Sequence, residues 1–296
     1  MNFATILKDK KEFSGIVKED QFFSFDDMFG GNGPKTLIDF IKAYEGKDFP
    51  NFDQLISDSN VIPMLLTDVT LLSPITNPTR DVICIGKNYA DHAVEVAETM
   101  QQGQGLSVIP TYGPYFAKSA YPPSAHMEDL PTHAELTSHL DYEAELAVII
   151  GKTAKNVAKE DVGEYIFGYS VANDVTVRDR QINHNQWFFG KSFDQTCPIG
   201  PFIVSSEEIA YPPVLDITCH VNGELRQSSN TELFIFDIGD IVSELTKGMT
   251  LRPGDIILTG TPAGVGHAMN PPVYLKHGDV VDIYIEKVGT LTNKFV

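Results

Sequence analysis

Cysteine is scarce: the 296-residue chain has three, Cys84, Cys197 and Cys219. Three scattered thiols make neither a disulfide framework nor a Cys-x-x-Cys metal site. An odd number suits a reducing compartment, where each packs as a small hydrophobe. Basic residues are scarce as well, with twenty-two lysines and arginines against forty acids, a formal charge of -18 and a sequence pI near 4.7. A protein that tracks nucleic-acid phosphates needs a basic stripe to release counterions, so this composition argues against nucleic acid as a partner. An anionic ligand has to be drawn in by a local positive feature such as a metal ion. No apolar run approaches the roughly 18 residues of a membrane span. The N-terminus is charged by its eighth residue, has no apolar targeting core, and reads as a mature cytoplasmic protein.

What is present is globular: 42% hydrophobic and 21% charged residues, at a length that suits one large domain with a small companion. Residues 1–75 read as the companion, a small α/β unit with helical spacing in Leu37, Phe40, Ile41 and Tyr44. The loop Gly30-Gly31-Asn32-Gly33 lacks the Lys-Ser/Thr of a phosphate cradle and reads as a turn. Turn chemistry at Ser73-Pro74 and Asn77-Pro78 marks a boundary, leaving 76–296 as the main domain. Strands dominate there, over 81–86, 143–150, 166–175 and 215–221, and after Pro253-Gly254-Asp255 and His277-Gly278-Asp279. Asn222-Gly223 predicts a type I′ hairpin between 215–221 and 224–227. Helices are expected over 91–100, 159–165 and 237–247. The pattern predicts a mixed α/β, β-rich chain that rolls up or closes into a barrel.

Candidate chemistry begins at Glu143 and Glu145, which a strand presents on one face about 7 Å apart. Two carboxylates entering so apolar a strand call for a hard cation such as Mg²⁺, Mn²⁺ or Ca²⁺, unless they form the solvated face of an edge strand. Asp174, at a strand end, is a third ligand position or an N-cap. Three carboxylates leave coordination positions open for water and substrate. Lys191, among Trp187, Phe188, Phe189 and Phe193, is either a snorkelling surface residue or a desolvated cation serving an oxyanion. His92 and Glu95 stand i, i+3 on one helix face, where a carboxylate orients an imidazole or simply forms a surface pair. The loop Thr259-Gly260-Thr261-Pro262-Ala263-Gly264-Val265-Gly266 suits presentation of backbone N–H groups to a carboxylate.

Taken together, GKNYADHAVE, LDYEAELAVIIG, GYSVANDVTVRDRQ, FGKSFD, VNGELRQSSNT, LRPGDIILTGTPAGVG and HGDVVDIYIEKVGTLTN resemble the fumarylacetoacetate hydrolase family, in family order from Arg80 to Val296. The resemblance implies a rolled mixed β-sheet catalytic domain with a small N-terminal α/β domain, in a homodimer. It implies that Glu143, Glu145 and Asp174 bind Mg²⁺ or Mn²⁺, that Lys191 contacts a substrate oxo or carboxylate group, and that Arg178, Gln181, Thr261 and Gly260 hold the substrate. His92 and Glu95 match the dyad that activates water in acylpyruvate-cleaving members. The implied reaction is hydrolysis of a C–C bond in a 2,4-dioxo acid, giving pyruvate and a carboxylic acid. The alternatives are oxaloacetate decarboxylation or dienoate isomerisation through the same enolate, and a non-catalytic ligand-binding member with a structural cation. Two stretches depart from the family pattern. The segment Met100-Gln-Gln-Gly-Gln-Gly105 is long and polar, and His126, His133 and His139 have spacings that fit no common ligand motif and read as surface histidines.

Overall fold

The computed structural model describes residues 1–59, 61–99, 109–119 and 121–296, over which the pattern resolves into strands and short helices. The chain opens with β1 (Asn2–Lys8), β2 (Lys11–Lys18) and β3 (Gln21–Ser24), then α1 (Phe25–Met28), α2 (Leu37–Ala43), α3 (Phe52–Ser59), β4 (Met64–Leu65) and β5 (Thr70–Leu71). Next come β6 (Val82–Ile85), α4 (Ala90–Thr99), β7 (Tyr115–Lys118), β8 (Asp129–Leu130), β9 (Leu140–Asp141), β10 (Ala144–Ile150) and β11 (Ile166–Asn173). The remainder holds β12 (Thr176–Val177), α5 (Arg178–Asn183), α6 (Phe188–Lys191), β13 (Ile199–Ser205), β14 (Asp216–Val221) and β15 (Glu224–Asn230). It ends with α7 (Ile238–Gly248), β16 (Ile256–Leu258), β17 (Val280–Ile285) and β18 (Gly289–Phe295).

An eleven-stranded sheet runs β4-β3-β2-β1-β13-β11-β10-β16-β6-β7, with β5 also on β1; a five-stranded sheet runs β15-β14-β17-β18-β8. The large sheet is mixed, because β16 and β6 run parallel. It ends in β4 on one side and β7 on the other, so the sheet does not close and the barrel expectation gives way to the rolled, layered one. Strand β10 shows why its sequence is wholly apolar after Glu145. Leu146, Val148 and Ile150 pack with Ile217, Cys219, Ile283 and Ile285 of the smaller sheet, while Ala147 and Ile149 pack on the other side with Phe3, Phe40 and Phe167. A strand buried on both faces has no need of alternation. Residues 1–75 continue this sheet, Phe3 of β1 pairing with Ile203 of β13.

Local chemistry explains the elements that hold the site. The 222–223 hairpin forms with Asn222 and Gly223 at φ 53° and 79°. Helix α7 is closed by a capping box between Asp237 and Asp240. The segment 159–165 is a 3₁₀ turn rather than the expected α-helix, since it has no side-chain cap and carries Gly163 against the Tyr211 ring. All three cysteines are free and buried. Among the described residues no helix is long and apolar enough to cross a membrane.

Candidate active site

The register of β10 on β11 assembles the acids. Ala144 pairs with Asn173, whose side-chain oxygen accepts the Glu143 N–H at 2.9 Å, and the Asp174 N–H donates to the Glu143 carbonyl at 2.9 Å. Glu143 therefore sits one residue ahead of β10, and strand parity carries Glu145 to the same side. Glu143, Glu145 and Asp174 are all buried, with candidate ligand oxygens within 4.8 Å of one another.

Cations are packed into the same place. Lys191 is 2% exposed, which removes the snorkelling reading, and its Nζ lies 2.7 Å from both Glu143 and Asp174. Arg178 donates to Glu143 at 2.6 Å and to Asp141 at 2.8 Å. Lys118, buried at the end of β7, has its Nζ 2.8 Å from Asp174 Oδ1 while donating to the carbonyls of Val175 and Lys191. Neither Lys118 nor Asp141 announces itself in sequence; their partners come from distant strands. Asp141 is fixed by the β9–β12 pair, which brings it beside Arg178, and it also accepts the N–H groups of Gly266 and His267.

Among the described residues four carboxylates thus meet three cations, and Glu145 is the acid with no cation at bonding distance. Burial tends to raise the Glu143 carboxyl, but Lys191 and Arg178 outweigh it and hold it at about 2. Glu145 is pushed well up, by burial first and then by Asp174 and Glu143. Burial pulls Lys191 down, yet Asp174 and Glu143 raise it overall. Asp174 Oδ1 makes no hydrogen bond, since Lys118 lies out of alignment with it. An all-oxygen cluster with one unmatched acid and one unbonded oxygen fits a hard divalent cation.

A cavity of about 30 Å³ opens onto this cluster, lined by His92, Glu143, Glu145, Arg178, Gln181, Lys191 and Thr261. Of the sequence candidates, Asp174 lies behind the lining and Glu95 acts through His92. The His92 Nδ1 is 2.8 Å from Glu95, whose two oxygens accept the Gly264 N–H at 3.1 and 3.0 Å. The carboxylate accepts, so Nδ1 carries the hydrogen and Nε2 is left as an acceptor. Gly264 has φ +105°, and a Cβ there would lie 2.0 Å from the Arg226 carbonyl, so glycine alone fits. The Thr261 hydroxyl accepts from Gln227 at 2.8 Å, leaving its own hydrogen to donate. Gly260 departs from its expected substrate contact: its N–H donates to Glu145 at 2.7 Å and holds an acid. Trp187 walls the cavity, packed so closely on Gly86 that a Cβ there would meet its ring at 2.3 Å.

His126, His133 and His139 stand apart from the three candidate metal ligands and are half-buried rather than superficial. His126 accepts the Thr292 N–H, His133 contacts the Asp194 carbonyl, and His139 packs on Tyr274. The segment 100–105 lies outside the described residues.

A layered mixed sheet with buried acids, lysines and an arginine around a small cavity defines a small-molecule site of the acid-cluster type. The chain belongs to the fumarylacetoacetate hydrolase family: the model of the fumarylacetoacetate (FAA) hydrolase C-terminal domain matches residues 81–296. Among curated relatives, Oxaloacetate tautomerase YisK of Bacillus subtilis (strain 168) is 46% identical over 229 residues, 77% of this chain and 74% of that protein. Among solved structures, the fumarylacetoacetate hydrolase of the psychrophile Exiguobacterium antarcticum superposes with a TM-score of 0.81 at 39% identity, over 100% of this chain and 99% of that one. Maleylpyruvate hydrolase of Sphingobium sp. SYK-6, in complex with manganese(II) ion and pyruvate, gives 0.75 at 30% identity over 100% and 99%. The named relatives are enzymes, and the second structure holds a divalent metal.

Proposed function

We propose that the protein interconverts the enol and keto forms of a small 2-oxo dicarboxylic acid of the oxaloacetate type, with Mg²⁺ or Mn²⁺ held by Glu143, Glu145 and Asp174. The observation that carries this reading is the grouping around one small cavity of a proton acceptor, His92 Nε2, an ammonium, Lys191, and the buried Nη2 of Arg178, which has no partner among the described residues. The 46% identical relative named as an oxaloacetate tautomerase supports it.

Tautomerisation moves one proton. The O–H bond at C2 of the enol breaks, a C3–H bond forms, and the C2=C3 double bond becomes C2=O. Lys191 spends two of its three N–H bonds on Glu143 and Asp174, leaving one for the C2 oxygen as negative charge develops there. A bound divalent cation supplies Lewis-acid polarisation of that oxygen. In the enol-to-keto direction His92 Nε2 takes up the C2 hydroxyl proton and delivers it to C3, and the reverse direction runs the same transfer backwards. Glu95 fixes the ring and stabilises its protonated form. The Thr261 hydroxyl receives the C1 carboxylate, and Arg178 Nη2 offers a charged donor to an acid oxygen. Tautomerisation needs no attacking water.

The test follows enol absorbance decay with Mg²⁺ or Mn²⁺. The expected result is acceleration over the metal alone, with Asp174→Asn and His92→Asn each lowering kcat by roughly a hundredfold or more. No acceleration by the wild-type protein sinks the reading. A second reading, acylpyruvate hydrolysis, is favoured by the His92–Glu95 pair and by the maleylpyruvate hydrolase neighbour. It predicts pyruvate release from an acylpyruvate, measured with a coupled dehydrogenase, at a rate above that of enol–keto exchange.

A further inference from the structure

One imidazole in the cavity has no part in the chemistry above. His267 lines the cavity, half-buried, on the short turn that follows the glycine loop. Its position is over-determined. Its peptide N–H donates to Asp141 Oδ2 at 2.9 Å, the same oxygen that accepts Arg178 Nε at 2.8 Å. Its Nδ1 lies 2.8 Å from the hydroxyl of Tyr274, whose ring packs on His139 at 4.6 Å between centroids. Burial and the neighbouring Arg178 lower the affinity of the ring for a second proton. Burial and Asp141 raise the Tyr274 phenol, so it keeps its hydrogen. With the phenol as donor to Nδ1, the neutral ring carries its hydrogen on Nε2, the ring nitrogen with no partner among the described residues. A neutral N–H donor beside an arginine, both hung from one carboxylate oxygen, is a receptor for an anion.

We propose that His267, oriented by Tyr274, is a specificity-determining residue whose Nε2–H binds the second carboxylate of a 2-oxo dicarboxylic acid. This assignment rests on the functional reading above for the ligand class, because Lys191 and Thr261 engage the 2-oxo acid end. A carboxylate carried on C3 then reaches toward Arg178 and His267. A 2-oxo monocarboxylic acid leaves His267 unused, so the residue separates substrates without touching the reacting atoms.

The test compares binding of oxaloacetate and pyruvate to the Mg²⁺-loaded protein. Trp187, the single tryptophan, lines the cavity and its fluorescence reports occupancy. An asparagine amide replaces Nδ1 but not Nε2, and a glutamine amide reaches the Nε2 position. His267→Asn is expected to weaken oxaloacetate by about tenfold or more and leave pyruvate unchanged, while His267→Gln stays within about threefold of wild type for both. Tyr274→Phe, which frees the ring, shows the same selective loss in smaller measure and serves as the probe if the asparagine variant does not fold. Equal loss for both ligands, or no loss for oxaloacetate, overturns the assignment. The two readings fail separately. If the wild type does not speed enol–keto exchange, yet prefers oxaloacetate over pyruvate and loses that preference in His267→Asn, the functional reading falls and the His267 assignment stands. If exchange is catalysed but wild type and variant bind alike, the reverse holds.

Discussion

At the scale of single residues the site is an arithmetic of charge, in which Glu145 is the remainder. Burial, Asp174 and Glu143 raise its carboxyl, so it contributes stability below its unfolded value and loses that contribution as pH rises through the folded one. Glu143 has the opposite sign: held at about 2, it contributes above its unfolded value and loses that as pH falls through the folded one. A cation held by Glu145 competes with a proton for the raised carboxyl, so its affinity should rise with pH. Calorimetry of Mg²⁺ or Mn²⁺ binding in buffers of different ionisation enthalpy should register the release of up to about one proton. A binding enthalpy independent of buffer refutes the assignment of Glu145 as the unmatched acid. The three acids are legible in sequence because they lie within or at the ends of apolar strands. Lys118, Asp141 and His267 are not, because each is defined by neighbours from other segments of the chain that the fold brings beside it.

Elements position these groups, and α4 is the most exposed to error. It carries His92, and Glu95 on the same face accepts the peptide N–H of Gly264. Gly264→Ala forces a Cβ into the Arg226 carbonyl at a positive φ, at a cost on the order of 1–3 kcal/mol. The N–H then moves away from Glu95. The expected outcome is a fall in kcat of about tenfold or more with Mg²⁺ affinity intact, read by steady-state kinetics beside cation titration. Loss of cation affinity instead means that the loop supports the acids rather than the helix. Sequence legibility at this scale follows turn chemistry. Asn222-Gly223 advertises its hairpin, whereas Asp9 and Lys10 make the β1–β2 turn at φ 49° and 63° without a glycine, and the N-terminal meander goes unread. The helix over 37–43 was legible from its apolar spacing, with Leu37, Ile38, Phe40 and Ile41 buried.

For the whole molecule, one sheet runs from the N-terminal meander through β13, β11 and β10 to β7, so residues far from the cavity share a core with the strands that frame it. That frame holds three cations inside a molecule whose formal charge is -18. Beyond a Debye length, roughly 10 Å at 0.1 M salt, a dianionic substrate feels the acidic exterior rather than Arg178 or Lys191. Raising ionic strength from a few millimolar toward 0.1 M should therefore increase kcat/KM, on the order of twofold, while kcat at saturation stays level. A fall in kcat/KM over that range shows instead that the cavity's own field extends into solvent. The acid coat and the cationic pocket together make salt a control on encounter and leave the proton transfer untouched.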